Sequence, residues 1–492
     1  MAFTSSSGDK YYRLNHYHIN LSWEINWGRA SSSTSSTSLR QSQTSLFDEI
    51  NTRDIHDLPI YSILNDLRES IQNKPNLLLE AAPGAGKTTI VPLVISSLQS
   101  KDNKVIVVEP RRVATRSAAQ RMSKLLNQSV GNTIGYAIRG ESKQSSNTKI
   151  LVMTDGVLLN MIREDPELHG YDTIILDEFH ERGVGSDTAL ALVREVQLNY
   201  RPDIKIIIMS ATLLGASTHE DDERDEGEPT TGAKLLKVLG GDKTCNILQS
   251  EGRQYPITIQ HSGRMNPRHA ALFRDTKLLV KTMADVIEEG LLKAPEKGDV
   301  LAFLPGAKEI RRAVQELNAR GGLLQGVDIF PLYGALPKVE QDRAIFRTDS
   351  DVRRVIVSSP IAEASLTIEG VTCVVDSGLQ RQPRYDANTG LPHLITVACS
   401  RDSAVQRAGR AGRTREGYCI RLFSEEEFDK MSQHSTPEIS STDLVSLSTT
   451  LTIQLPRYLE RSTDFVAENL RLYVTSEGRY IVKNIINIYT TV

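Results

Sequence analysis

Asp177, Glu178, His180 and Arg182 fall within six consecutive positions of the segment TIILDEFHER (Thr173 to Arg182). The apolar run Thr173 to Leu176 reads as a buried parallel strand. Its C-terminal end carries the carboxylates, and ligands collect at that edge in open α/β sheets. Adjacent acids there can hold Mg²⁺ with one carboxylate and direct a water with the other. A solvated strand end has the same appearance, so the meaning of the pair depends on what the rest of the chain brings to it.

The first partner is AAPGAGKTT (Ala81 to Thr89), which follows a strand and opens a helix, the context a phosphate-binding loop requires. Gly84, Ala85 and Gly86 let backbone N–H groups turn toward phosphate oxygens, and the helix that opens through Thr89 adds its dipole. Lys87 would reach the terminal phosphates, and the Thr88 hydroxyl would ligate Mg²⁺ together with Asp177, leaving Glu178 to activate water. Ala81 stands where the general pattern has its first glycine. The second partner is QRAGRAGR (Gln406 to Arg413), three arginines and a glutamine expected on one helix. Arg410 and Arg413, three apart, would share a helix face. Delivered across a nucleotide, they would neutralise transition-state charge as arginine fingers do.

The elements that must position these groups alternate between short apolar runs and longer amphipathic ones. NLLLEA (Asn76 to Ala81), KVIVVEP (Lys104 to Pro110), KILVMT (Lys149 to Thr154), TIILDE and IKIIIMSAT (Ile204 to Thr212) read as strands of a parallel sheet covered on both faces. The rhythm restarts with DVLAFLPG (Asp299 to Gly306), VDIFPLYG (Val327 to Gly334), RRVIVSSP (Arg353 to Pro360) and VTCVVDSG (Val371 to Gly378). The fold class is therefore α/β, with two doubly wound parallel-sheet domains in tandem, expected at 55–250 and 251–425. The strand-like YPITIQ (Tyr255 to Gln260) opens the second.

The acidic run HEDDERDEGEP (His219 to Pro229) within the first domain reads as a solvated loop at 216–232. Residues 1–54 are rich in Ser and Thr and read as disordered, with an organelle transit peptide as the alternative. The chain has 492 residues, 39% hydrophobic and 24% charged, and a net charge of −3, so no global basic field advertises a nucleic-acid partner. Cys245, Cys373, Cys399 and Cys419 lack CxxC or Cys/His metal spacing, which favours a reduced intracellular chain without structural zinc. No apolar stretch approaches the ~20 residues of a membrane span.

In order along the chain, these motifs resemble those of superfamily-two DExH helicases of the DEAH/RHA group, and most closely its HrpB branch. AAPGAGKTT resembles motif I, EPRRVATRSAAQRM (Glu109 to Met122) motif Ia, and MTDGVLL (Met153 to Leu159) motif Ib. DEFHER resembles motif II and SAT (Ser210 to Thr212) motif III. FLPG (Phe303 to Gly306) and LYGALP (Leu332 to Pro337) resemble the motif IV region, SSPIAEASLTIEG (Ser358 to Gly370) motif V, and QRAGRAGR motif VI. Phe179, DPELHG (Asp165 to Gly170) and EGRQYP (Glu251 to Pro256) mark the branch.

The resemblance implies RecA-like domains and ATP, or another nucleoside triphosphate, with Mg²⁺. It implies Gln406 as the residue orienting the water, and His180, Ser210 and Thr212 as the coupling between hydrolysis and RNA. It implies Arg121 and Phe346 as the two sides of a sandwich around the base. Single-stranded or partly duplex RNA would meet Arg111, Arg112, Thr154 and Asp155 on the first domain, and Gly334, Ser365 and Thr367 on the second. RYDANTGLPHLIT (Arg384 to Thr396) would be a strand-separating hairpin. The expected protein is a monomeric, soluble, cytoplasmic or nuclear RNA translocase moving 3′ to 5′. Two departures stand out. Pro360 replaces the Asn common in motif V, removing an amide that could bridge RNA and nucleotide sites, and Tyr333 replaces a common His. Residues 426–492 hold only the start of a winged-helix domain (Thr436 to Leu447). The expectation is accordingly a truncated form of poor processivity, with a weakly processive RNA-binding protein or RNA-stimulated ATPase as the alternative.

Overall fold

The structure, a computed structural model, describes residue 56 and residues 58–440 except 99–103, 214–229, 251, 253–254, 262–268, 296, 348–351, 364–365, 367, 387–388, 390, 414 and 437, together with 472–474 and 480–482. The expected Ser/Thr-rich segment 1–54, most of the acidic loop, Ser365, Thr367 and most of the expected winged-helix start lie outside these residues. Of the expected loop 216–232, Thr231 and Gly232 already belong to a helix, because the Thr230 hydroxyl caps it by accepting from Ala233 N.

The first sheet has eight strands: β1 (Asn76–Ala81), β2 (Lys104–Glu109), β3 (Ile134–Ile138), β4 (Glu141–Lys143), β5 (Ile150–Thr154), β6 (Tyr171–Leu176), β7 (Lys205–Ser210) and β8 (Cys245–Ser250). Their order is β4-β3-β5-β2-β6-β7-β1-β8, parallel except for the β3–β4 pair. Helices α1 (Leu64–Asn73), α2 (Lys87–Leu98), α3 (Arg112–Leu125), α4 (Asp155–Glu164), α5 (Val184–Asn199) and α6 (Thr231–Val238) cover it. The continuous apolar strands have two buried faces. Leu77, Leu79, Val105 and Val107 pack with α1 to α3, while Leu78, Ile106 and Val108 pack with α4 and α5. This is the pattern a parallel sheet between helical layers demands.

The second sheet contains β9 (Ile257–His261), β10 (Asp299–Phe303), β11 (Asp328–Leu332), β12 (Arg354–Ser358), β13 (Val371–Asp376) and β16 (Gly417–Arg421), ordered β11-β12-β10-β13-β16-β9 and parallel throughout. Helices α7 (His269–Arg274), α8 (Thr276–Lys293), α9 (Ala307–Ala319), α10 (Lys338–Ile345), α11 (Arg401–Ala408) and α12 (Glu425–Asp429) accompany it. Val300 and Ala302 face α8 and α9, and Leu301 and Phe303 face Ala344 and Ile345 of α10. The expected hairpin is present as an antiparallel pair, β14 (Leu379–Asp386) and β15 (Leu391–Ala398). A short pair, β17 (Leu472–Val474) and β18 (Tyr480–Val482), lies near the end of the chain. Among the described residues no helix is long and apolar enough to cross a membrane.

Candidate active site

Strands β2, β6, β7 and β1 are consecutive neighbours in the first sheet, so their C-terminal ends bring Glu109, Asp177, Ser210 and the loop after Ala81 to one edge. The loop turns through Gly84 (φ +90°) and Gly86 (φ +96°), conformations that favour glycine. At Gly86 a Cβ would also approach Leu58 Cδ1 to 3.0 Å and Ile60 Cγ2 to 3.1 Å. Ala85 is buried, and its carbonyl accepts from Ile60 N at 3.1 Å. Helix α2 then starts at Lys87, and the Thr89 hydroxyl donates to the Gly86 carbonyl at 3.2 Å.

Lys87 is buried and donates to Glu178 Oε1 at 3.0 Å. Glu178 sits in the left-handed region (φ +50°), rare for a residue with a side chain, and this aims its carboxylate back at the loop. The Thr88 hydroxyl donates to Asp177 Oδ2. Burial and the neighbouring Glu178 raise Asp177 to about 6. Burial also pushes Glu178 up, but Lys87 and His180 outweigh it and hold Glu178 at about 2. Lys87 itself loses to burial and gains more from Glu178 and Asp177, so its pKa is raised.

Glu109, which ends β2, is fully buried, and neither carboxylate oxygen has a hydrogen-bond partner among the described residues. Burial first, then Asp177 and Glu178, raise it well above the carboxylate range. No role was read for it in the sequence, although a charge closing the apolar run KVIVVE was the visible signal.

His180 links the carboxylates to β7. Its Nδ1 accepts from Ala211 N at 3.3 Å and lies 3.5 Å from Glu178 Oε2. Burial depresses the imidazole below its usual value, although Glu178 pulls it up, which leaves it neutral. The Ser210 hydroxyl donates to the Thr212 carbonyl at 2.9 Å and accepts from Thr212 N at 3.1 Å. Gln406 of the second domain reaches the same imidazole.

The three arginines of the Gln406–Arg413 segment separate into two kinds. Helix α11 ends at Ala408, so Arg410 and Arg413 do not share a helix face as expected. Gly409 and Gly412 break the helix, and both arginines ride on the turns that follow. Gly412 faces Tyr255 and Ile257 so closely that a Cβ would lie 2.7 Å from both. The turn after the helix nevertheless brings Arg413 to the cradle. A Cβ on Gly84 would lie 3.7 Å from Arg413 Nε. Arg410 donates to the Leu366 carbonyl at 2.5 Å and to the Glu363 carbonyl. Burial, then Arg413, pushes Arg410 well down, and burial lowers Arg413 to about 10 against the pull of Glu178.

Arg407 points the other way, into the second domain's core, where it donates to Glu363 Oε2 and Asp376 Oδ1 at 2.9 Å each. Glu363 also accepts from the Ser403 hydroxyl at 2.6 Å, so one acid joins the motif V and motif VI segments. That hub was not read in the sequence.

The remaining expected residues are spread over the surface between the domains. Arg121 and Phe346 are exposed. Arg112 is exposed and donates to the Arg139 carbonyl at 2.8 Å. Thr154 is buried beside Glu109 in the β2–β5 register, and Asp155 opens α4, accepting from Gly156 N at 2.7 Å. Gly334 is exposed, and its carbonyl accepts from Gln341 Nε2 at 3.2 Å. Arg111 is turned into the seam between the domains: Nε donates to Glu181 Oε2 at 3.0 Å and Nη1 to the Pro360 carbonyl at 2.6 Å.

The donor set suits a magnesium–triphosphate group. A hydroxyl and a carboxylate converge at Thr88 and Asp177, and Glu178 Oε2 is buried without a hydrogen-bond partner among the described residues. Those residues contain no cluster of three or more metal-ligating side chains.

Comparison with known proteins agrees with this geometry. A DEAD/DEAH box helicase family model matches residues 63–220, and a helicase conserved C-terminal domain model matches residues 280–415. The ATP-dependent RNA helicase HrpB of Escherichia coli (strain K12) is 40% identical over 390 residues, covering 79% of this chain and 44% of that protein. The ATP-dependent RNA helicase HrpA of Borreliella burgdorferi is 36% identical over 391 residues, 79% of this chain and 44% of that one. Human probable ATP-dependent RNA helicase DHX35 is 34% identical over 399 residues, 79% of this chain and 53% of that one. The crystal structure of Escherichia coli DEAH/RHA helicase HrpB superposes with a TM-score of 0.69 at 38% identity, covering 81% of this chain and 46% of that one. The chain thus spans about half the length of the curated relatives it matches.

Proposed function

Because the chain belongs to the DEAD/DEAH box helicase family and is similar to HrpB, we propose that it is an ATP-dependent RNA helicase working through two RecA-like domains, at 55–250 and 251–425. One observation carries the reading: Lys87, Asp177 and Glu178 of the first domain and Arg413 of the second meet at a single glycine-rich cradle. A site completed only when two domains approach is suited to linking nucleotide hydrolysis with movement.

Lys87 would hold the terminal phosphates, and Thr88 and Asp177 would hold Mg²⁺. The metal, when bound, neutralises charge on the phosphate oxygens and helps the leaving group depart. Lys87 is paired with Glu178 at 3.0 Å. Phosphates drawing Lys87 away would leave Glu178 without its nearest cation, so its pKa would rise toward the range useful for a base. Water then attacks the γ-phosphorus as its proton passes to Glu178, and the bond to the β-phosphate oxygen breaks. Gln406 would orient that water, and Arg410 and Arg413 would meet the charge on the transferring group. His180, joined to the β7 loop and approached by Gln406, would relay the state of the site between domains.

RNA would lie across both domains on Arg112, Thr154, Asp155, Gly334, Ser365 and Thr367, and on Arg111 once it is released from the seam. Main-chain and hydroxyl groups there suit phosphate and sugar contacts that position without reading sequence. ATP turnover with and without single-stranded RNA, followed by duplex unwinding, tests the proposal. Lys87→Ala or Glu178→Gln should abolish RNA-stimulated hydrolysis, and unchanged turnover in either variant would sink it. Shortening the β14–β15 hairpin should reduce unwinding more than hydrolysis; equal losses would remove its role as a wedge.

A further inference from the structure

Arg111 opens α3 and stands where three segments meet. Its Nε reaches Glu181, three residues beyond Glu178, and its Nη1 reaches the main-chain carbonyl of Pro360 in the second domain. The guanidinium is 28% exposed and Glu181 is 17% exposed, so the pair is shielded without being sealed. Two residues on, Val113 packs among Leu332, Ile361 and Ala362 of the second domain. The start of α3 is therefore a peg set into the other domain, with Arg111 as its polar end.

Pro360 suits its place in this contact. It opens the 3-10 turn Pro360–Ala362, where a fixed φ and a missing N–H cost nothing, and the Ser359 hydroxyl accepts from Ile361 N at 3.5 Å. The turn aims the carbonyl of residue 360 outward, where it accepts from Glu363 N at 3.0 Å and from Arg111.

We propose that Arg111 is an interdomain positioning residue. Its guanidinium clasps motif II to motif V by joining Glu181 to the Pro360 carbonyl, and a nucleic-acid phosphate competes for the same guanidinium. The clasp itself is independent of substrate; the competition rests on the RNA reading above. Glu181 Oε2 and a phosphate oxygen are the same kind of anionic acceptor for Arg111, whose Nε and Nη1 are already taken by Glu181 and Pro360, so a phosphate gripped by those two donors would displace both. Domain closure and strand binding would thus be linked through a single side chain.

The test uses the full chain with fluorophores on Glu69→Cys and Val339→Cys, which are exposed on the first and second domains, while the four native cysteines are buried. Two quantities are read: the interdomain distance distribution without RNA or nucleotide, and the affinity for a labelled oligouridylate. Arg111→Ala and Arg111→Lys should each shift the distance equilibrium toward open forms by roughly tenfold, the scale of one charge-assisted bond, because lysine keeps the charge but cannot span both acceptors. Glu181→Gln should open the domains likewise and tighten oligouridylate binding several-fold.

Unchanged distances in the Arg111 variants with weakened oligouridylate binding would make Arg111 an ordinary strand contact and overturn the clasp. Unchanged or weaker binding in Glu181→Gln would overturn the competition. If Arg111→Ala fails to fold by circular dichroism, Arg111→Lys and Glu181→Gln decide the matter. Failure of the unsubstituted chain to bind oligouridylate would defeat the RNA reading and the competition with it, while the distance measurement would still decide the clasp.

Discussion

Replacing Arg407 by methionine keeps most of the aliphatic volume of a fully buried side chain and removes its charge. In the intact protein that guanidinium lies 2.9 Å from Asp376 Oδ1 and 2.9 Å from Glu363 Oε2, and Asp376 is itself 0% exposed. The substitution therefore strands a carboxylate in the core of the second domain beside Glu363, itself only 14% exposed. Removing one partner of a buried pair costs about 3–5 kcal/mol, most of it the penalty of the uncompensated charge. At about 2–4 °C per kcal/mol for a domain of this size, the calorimetric transition of the second domain should fall by roughly 10 °C. Adding Asp376→Asn removes the stranded charge, so the double variant should recover a large part of the loss instead of adding to it. A transition within about 2 °C of the unsubstituted protein, or strictly additive losses, would refute the claim that Arg407 is held by charge pairing in the core.

Arg413→Ala should do the opposite: leave the transition temperature nearly unchanged while lowering ATP turnover about 10³-fold or more, the scale of a lost arginine finger; steady-state kinetics beside calorimetry would separate the two arginines. Phe179→Ala should destabilise the first domain by about 3–5 kcal/mol in urea titration, because Phe179 is 1% exposed and packs against Leu176 and Leu190; a cost under about 1 kcal/mol would show that it is not a core residue. Gly86→Ala, which forces a side chain into φ +96° with two close contacts, should weaken binding of a fluorescent ATP analogue at least about tenfold, and unaltered binding would argue against the loop as the phosphate site.

The sheets were legible because their strands are buried on both faces: runs such as NLLLEA and KVIVVE contain too little polarity to be anything else. Others were not. Strands β4 (ESK) and β8 (CNILQS) were missed because they are edges of mixed polarity, and the interior strands β3 (IGYAI) and β16 (GYCIR) because five residues with a glycine among them give too short an apolar run. The site was legible where chemistry demands particular residues at particular spacing, as at Lys87, Thr88, Asp177 and Glu178. It was less so where function depends on which way a side chain turns. Three arginines in Gln406–Arg413 look equivalent in sequence, yet Arg407 points into the core, Arg410 bonds the Leu366 and Glu363 carbonyls beyond the helix end, and Arg413 lies against Gly84 of the cradle. The main-chain carbonyl of Pro360 accepts from Arg111, a contact that no side-chain motif displays.

The ion pair between Lys87 and Glu178 also bears on how fast the site can turn over. Glu178 Oε1, 3.0 Å from Lys87 Nζ, is an internal partner for the same cation that a triphosphate would take. On the proposed function, nucleotide and Glu178 would compete for Lys87, which would weaken nucleotide binding and favour release of product. In the proposed cycle, where each step along a strand waits for the cradle to empty, this internal competitor would set the tempo.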